Sequence, residues 1–220
     1  MSGLGATLEG VAELPLNEPV LDYAPGSPER AKLRDEIQRQ SSEYPTLPLV
    51  IGGARIETGK STAVSAPHRH ALRLATRVEG DVGHVDRAIA SCLAAKAGWA
   101  ALPLEERCGI FERAAELLAG PLRQRLNAAT LLGQSKTPHQ AEIDAACELI
   151  DFLRFNAHYA RELSALPLRS PSGVENSIDL RPLDGFVLAV TPFNFTAIAG
   201  NLVAAPAILG NVVVWKPLKM

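Results

Sequence analysis

The polarity of the chain changes period along its length, and each change marks a boundary. Residues 1–46 carry Pro15, Pro19, Pro25, Pro28 and Pro45, with one charged stretch from Pro28 to about Gln40 whose proline stands at a favourable first helical position. This reads as an arm laid on a larger body. From Leu47 to Arg77, short β-type runs (Leu49-Val50-Ile51 and Ala71 to Thr76) are joined by turn-rich sequence, which predicts a small antiparallel element. From Asp81 to about Leu166 the spacing becomes helical, with Val85, Ile89, Cys92, Leu93 and Ala97 recurring at three- and four-residue steps. Further helices are expected over 104–118, 122–132 and 138–166, the last continuous, with Thr137 as its N-cap.

The final fifth is more apolar. Residues 176–181 alternate as a strand would, and 185–190 read as a fully buried strand. A polar break at 191–196, an Ala-rich helix over 197–209 and a strand over 211–215 follow. Strand, helix and strand with short joins make a βαβ unit, which predicts a parallel sheet. The chain is therefore α/β, divided into an arm at 1–46, a helical and β-strand part at 47–182 and a βαβ unit at 183–220.

Composition narrows the partners. With 47% hydrophobic and 21% charged residues the chain is an ordinary globular protein, and a net charge of −2 supplies no basic surface for nucleic acid or an anionic membrane. Small molecules or other subunits are the expected partners. Residues 197–215 are about as long as a membrane span, but Gly200, Asn201, Pro206, Gly210 and Asn211 interrupt them, and a buried helix-strand pair explains both length and breaks. Met1–Gly10 has neither Arg or Lys nor a continuous apolar core, so a cytoplasmic protein is expected, or one of the mitochondrial matrix in a eukaryotic relative. Cys92, Cys108 and Cys147 are widely spaced in helical segments, which fits reduced, buried thiols.

Ligands of an open parallel sheet bind beyond the carboxyl ends of its strands. The first strand of the βαβ unit delivers Thr191-Pro192-Phe193-Asn194 there, and the second delivers Lys216-Pro217. A dinucleotide is the natural candidate, although no G-x-G-x-x-G fingerprint is present. Asn194 either caps the following helix or offers its amide to charge developing on a carbonyl oxygen. Lys216 is either a solvated strand-exit lysine or a point charge with three donors for a ribose or phosphate. Spacing alone leaves both pairs open. Gly133-Gln134-Ser135-Lys136-Thr137 lacks the first glycine of a phosphate loop, and His68 and His70 have no further metal ligand nearby. Glu142, Asp144, Glu148 and Asp151 crowd one helix as a solvated acidic face, with Glu148 set apart by its nearness to apolar neighbours.

Pro192-Phe193-Asn194 and Trp215-Lys216-Pro217, separated by one helix, resemble the P-[WF]-N and W-K-P signatures of the aldehyde dehydrogenase superfamily. Within it the likeness is nearer to the 1-pyrroline-5-carboxylate dehydrogenase branch, through stretches such as Asn17-Glu18-Pro19, Glu148-Leu149-Ile150-Asp151-Phe152 and Arg154-Phe155-Asn156-Ala157. The resemblance implies that Asn194 donates to the oxyanion and that Lys216 holds the adenosine ribose of NAD. It also implies that Thr191, Pro192 and Phe193 line the cofactor path, with Glu148 and Phe195 on the substrate side. In the family a cysteine thiolate attacks the aldehyde, hydride passes to NAD, and a glutamate-activated water releases the acid. The implied substrate is L-glutamate γ-semialdehyde, the product glutamate, and the full-length assembly a homo-oligomer. The family's nucleophile, general base and oligomerisation hairpin lie beyond Pro217. An incomplete aldehyde dehydrogenase fold is therefore expected, its Rossmann-like sheet cut after the first βαβ unit, its catalytic domain absent and the chain inactive alone. The alternatives are a non-catalytic module that binds nucleotide or a subunit, and an enzyme for a different aldehyde.

Overall fold

The computed structural model describes residues 13–217. The leader reading made on Met1–Gly10 and the residues after Pro217 lie outside them.

Residues 13–27 run without regular structure to α1 (Pro28–Ser42), which Ser27 caps by accepting the Arg30 N–H. Five short strands follow. The strands β1 (Thr46–Leu47), β5 (Arg69–Val78) and β4 (Ser61–Ala66) form one sheet in that order, β1 parallel to β5 and β4 antiparallel to it. A second sheet pairs β2 (Leu49–Ile51) with β3 (Ala54–Ile56) in a hairpin. The antiparallel element expected over 47–77 is thus present in two pieces.

Helix α2 (Val82–Ala101) falls in the stretch of helical spacing, and α3 (Leu104–Ala119) and α4 (Arg123–Gln134) stand within two residues of their expected ends. The expected single helix over 138–166 is divided. Thr137 caps α5 (Pro138–Ala141) reciprocally with Gln140, a π-helical segment spans Glu142–Cys147, and α6 (Glu148–Ser164) continues from it. Polarity at a 3.6-residue period carries no mark of that extra residue per turn.

The expected strand at 176–181 is absent: these residues are exposed and pair with no strand among the described residues. Alternation supplies one sided face but no ladder, and a ladder needs a neighbouring strand. The βαβ unit is present as β6 (Val187–Thr191), α7 (Thr196–Ile208) and β7 (Val213–Pro217), with β6 and β7 parallel.

The core lies where α3, α6 and α7 meet, around Ala115, Ala146, Leu149, Ile150, Leu153, Ala197 and Ala204. Small residues let the helices approach closely. At Gly200 an added Cβ would lie 2.6 Å from Leu149 Cδ1. Gly200→Ala is therefore expected to destabilise the chain by about 1–3 kcal/mol through overpacking, read as a lower urea midpoint at unchanged slope. No loss would mean that α6 and α7 can move apart freely.

The far end of α7 is tied down by side chains. Pro206 O accepts from Asn211 N at 3.1 Å and Asn211 Nδ2 at 3.0 Å, Ala207 O from Trp99 Nε1 at 2.9 Å, and Ile208 O from Arg107 Nε at 2.9 Å. These bonds satisfy carbonyls that a helix end leaves open. Gly210 makes the turn into β7 with φ of +85°, a backbone that a side chain would strain. Among the described residues no helix is long and apolar enough to cross a membrane.

Candidate functional site at the exit of the parallel strands

The register of the parallel pair decides what meets at its end. Val190 lies beside Lys216 and Thr191 beside Pro217, so both polar exits leave the same edge. Because side chains alternate along a strand, the two faces differ. Ala189, Thr191 and Trp215 share the face toward the helices, where the Trp215 indole donates to Thr191 Oγ1 at 3.0 Å. Val190 and Lys216 share the other, exposed face.

On the helix side an open pocket of about 270 Å³ is lined by Thr130 and Gln134 of α4 and by Thr191, Pro192, Phe193 and Trp215 among others. Thr191 is buried with its hydroxyl taken by the indole, while Phe193 is half exposed beside it. Neither Asn194 nor Lys216 lines that pocket. The candidate site therefore has an aromatic-walled pocket on one face, Lys216 on the other, and Asn194 at the lip between strand and helix.

Asn194 is exposed and its side chain makes no hydrogen bond among the described residues, and Phe195 stands at the N-cap of α7 with no side-chain cap. The capping alternative left open by the sequence therefore fails, and the amide is free to meet a ligand. Lys216 is exposed and makes no ion pair among the described residues. Beyond Asn194, Phe195 packs under Lys136, whose Nζ stands 4.3 Å from the ring centroid and donates to Asp144 Oδ2 at 2.8 Å. Glu148 is half-buried nearby. Burial pushes its carboxyl up, the Asp144 charge adds to that, and Lys136 opposes it.

The acidic helix differs most from expectation. Glu142, assigned to a solvated face, is fully buried, because α4 and the arm bring donors to it. Its carboxylate accepts from Leu21 N at 2.9 Å, Tyr23 Oη at 2.7 Å, Asn127 Nδ2 at 2.7 Å and the Arg123 guanidinium. Arg123 also pairs with Glu18 and donates to Pro19 O at 2.7 Å, while Arg154 reaches Glu18 at 2.6 Å. Asp151 binds the arm at Asn17 and Glu18, and Asp144 holds Lys136. Of the four carboxylates, only Glu148 is without a hydrogen bond among the described residues. Charge counting along one helix could not find this, since the partners come from other segments, Arg123 and Asn127 from α4 and Leu21 and Tyr23 from the arm.

The three cysteines are free thiols, Cys108 and Cys147 buried as expected and Cys92 partly exposed, and His68 meets Ser135 Oγ at 2.9 Å. Among the described residues no cluster of His, Cys, Asp or Glu is arranged to hold a metal.

A helix-flanked parallel pair with Pro-Phe-Asn at one exit and Trp-Lys-Pro at the other defines the class. The chain belongs to the aldehyde dehydrogenase family, whose pattern its residues 56–220 match. It is similar to a delta-1-pyrroline-5-carboxylate dehydrogenase of Agaricus bisporus, 50% identical over 203 residues, covering 91% of this chain and 37% of that protein. The mitochondrial delta-1-pyrroline-5-carboxylate dehydrogenase of Bos taurus is 46% identical over 202 residues, covering 91% of this chain and 36% of that one. A crystal structure of the Mycobacterium tuberculosis delta-pyrroline-5-carboxylate dehydrogenase bound with NAD superposes with a TM-score of 0.92 at 51% identity, covering 98% of this chain and 40% of that one. The chain thus spans about two-fifths of the length of these relatives.

Proposed function

We propose that this chain carries the opening part of an NAD-dependent dehydrogenase that oxidises L-glutamate γ-semialdehyde, the open form of 1-pyrroline-5-carboxylate, to L-glutamate. The observation that carries the proposal is the register of β6 against β7, which brings Thr191 to Asn194 and Lys216 to one sheet edge. The names of the relatives and the NAD in the M. tuberculosis structure supply the substrate and cofactor. NAD, when bound, supplies the hydride acceptor. The residues present fit such a group: an unpaired lysine ammonium beside a strand exit suits ribose hydroxyls, and the pocket walled by Phe193 and Trp215 suits a planar ring. Asn194 would donate to the aldehyde oxygen as negative charge grows on it, and its amide is free to do so. Phe195 and Glu148 flank the approach from the substrate side.

These 220 residues do not complete the reaction by themselves, because none of their thiols is set up as a nucleophile. Burial pushes Cys92 and Cys108 up and takes Cys147 to about 12. Mixing the chain with pyrroline-5-carboxylate and NAD is expected to produce no NADH absorbance. Turnover that disappears in Asn194→Ala would overturn this. Binding is tested separately, with amide spectra of the ¹⁵N-labelled chain during titration with NAD. Millimolar NAD should move signals of Thr191, Phe193 and Lys216, and Lys216→Ala should remove the effect. Unmoved signals would refute the cofactor assignment. Micromolar affinity would instead favour a self-sufficient nucleotide-binding module.

A further inference from the structure

The Asn194 side chain is exposed and makes no hydrogen bond among the described residues, so its neighbours in the chain hold its place. Trp215 secures the strand side of the loop through Thr191. On the helix side, α4 and the segment just after it contribute three side chains. Thr130 Oγ1 lies 2.9 Å from Thr196 Oγ1, and Gln134 Nε2 donates to that same oxygen at 2.8 Å. Two residues on, after Ser135 turns the backbone through a left-handed conformation with φ of 57°, Lys136 reaches Phe195. The lysine side chain is only 13% exposed and sits between two fixed partners, the Asp144 carboxylate and the Phe195 ring.

We propose that Lys136, held by Asp144 and seated over the Phe195 ring, is a positioning residue that fixes the Asn194 loop at the mouth of the site. The ammonium is taken up by a carboxylate and an aromatic face, which makes it a poor anchor for a ligand and a good strut. A cation over a ring holds best when water is excluded from it, as the low exposure of Lys136 implies. Asp144 belongs to the π-helical segment, so the strut joins that segment to Phe195, the N-cap residue of α7. Removing one charge of the pair would also leave the other near the half-buried Glu148.

What the loop does for a carbonyl oxygen rests on the proposed function, but the positioning does not. Its test therefore needs neither NAD nor aldehyde, and its failure is separate from theirs. The readouts are the Phe195 ring ¹³C–¹H shifts and the exchange rate of the Ala199 amide, which donates to Phe195 O at 3.1 Å. In the 220-residue chain, Lys136→Met is expected to shift the ring signals and speed Ala199 exchange by about tenfold, leaving amides of β6 and β7 unchanged. Lys136→Arg should restore both, since a guanidinium can pair with Asp144 and stack on the ring. Asp144→Asn should move both readouts in the direction of Lys136→Met. Unchanged ring signals and exchange in a folded Lys136→Met chain overturn the proposal. So does failure of arginine to restore them. If Lys136→Met does not fold, Asp144→Asn decides, and a chain unfolded by both places the pair in global stability and refutes a local role.

Discussion

Replacing Glu142 with alanine should destabilise the chain by about 3–5 kcal/mol, because it takes one of two carboxylates from the buried Arg123 guanidinium, leaving only Glu18 to balance that charge. Glu142 is 0% and Arg123 5% exposed. The carboxylate also organises the arm, because residues 17–23 form no strand and their polar groups must be met by side chains. Losing it unpairs the Leu21 N–H and removes an acceptor from Tyr23 and Asn127. Glu142→Gln keeps the shape and some acceptors, so a smaller loss is expected. Pairing Glu142→Ala with Arg123→Met should recover part of the deficit, since no charge is then left buried alone. Urea denaturation of the four chains checks this, and a loss below about 1 kcal/mol in Glu142→Ala would put the pair in the class of exposed bridges.

The same site sets an acid limit. Burial alone would push the Glu142 carboxyl up, but hydrogen bonds from Arg123, Tyr23 and Leu21 together with the Arg123 charge outweigh it and hold the group below its ordinary 4.5. A carboxylate lowered on folding adds stability that is complete above the unfolded value and is lost as pH falls through the folded one. Stability of the parent chain should therefore fall below about pH 4.5 with a component that is missing in Glu142→Gln.

The second expected result is slow labelling of the buried thiols. Burial, the Glu142 charge and a hydrogen bond to Glu142 push Cys147 to about 12 against the opposing charge of Arg123, from an ordinary 9.0. At pH 8 this leaves Cys147 far less thiolate, the reactive species, than an ordinary thiol carries. Cys108, fully buried with its Sγ 3.7 Å from Ala157 O, is shielded as well as raised. A thiol-specific disulfide reagent at pH 8, followed by peptide mass analysis, should mark the partly exposed Cys92 first. Cys108 and Cys147 should follow only as the chain opens. Native-state labelling of Cys147 at the rate of Cys92 would contradict both the burial and the absence of a nucleophile here.

Local pattern was enough to place most helices and the βαβ unit, but not the π-helical break at Glu142–Cys147, nor the exposure of Leu188 and Val190 in a strand expected to be fully buried. Pro28, Thr137 and Gly210 act through backbone geometry that any chain obeys, so they could be read one by one. The Pro-Phe-Asn and Trp-Lys-Pro exits were legible for the same reason, since a strand end delivers its next residues to the sheet edge whatever surrounds it. Residues 176–181 show the limit: alternation gave them a strand's polarity, but among the described residues no strand pairs with them.

The sequence by itself determined that this is an α/β chain whose last βαβ unit presents Asn194 and Lys216 at one edge. Only the tertiary structure decided that Lys216 and the Trp215 pocket lie on opposite faces, that Asn194 does not cap α7, and that Glu142 is a buried anchor. The physical reason is range. Caps, turns and periodicity act over a few residues, whereas desolvation and ion pairing depend on which distant segments supply donors. Arg123, Tyr23 and Lys136 become partners of Glu142 and Phe195 only once the helices have packed.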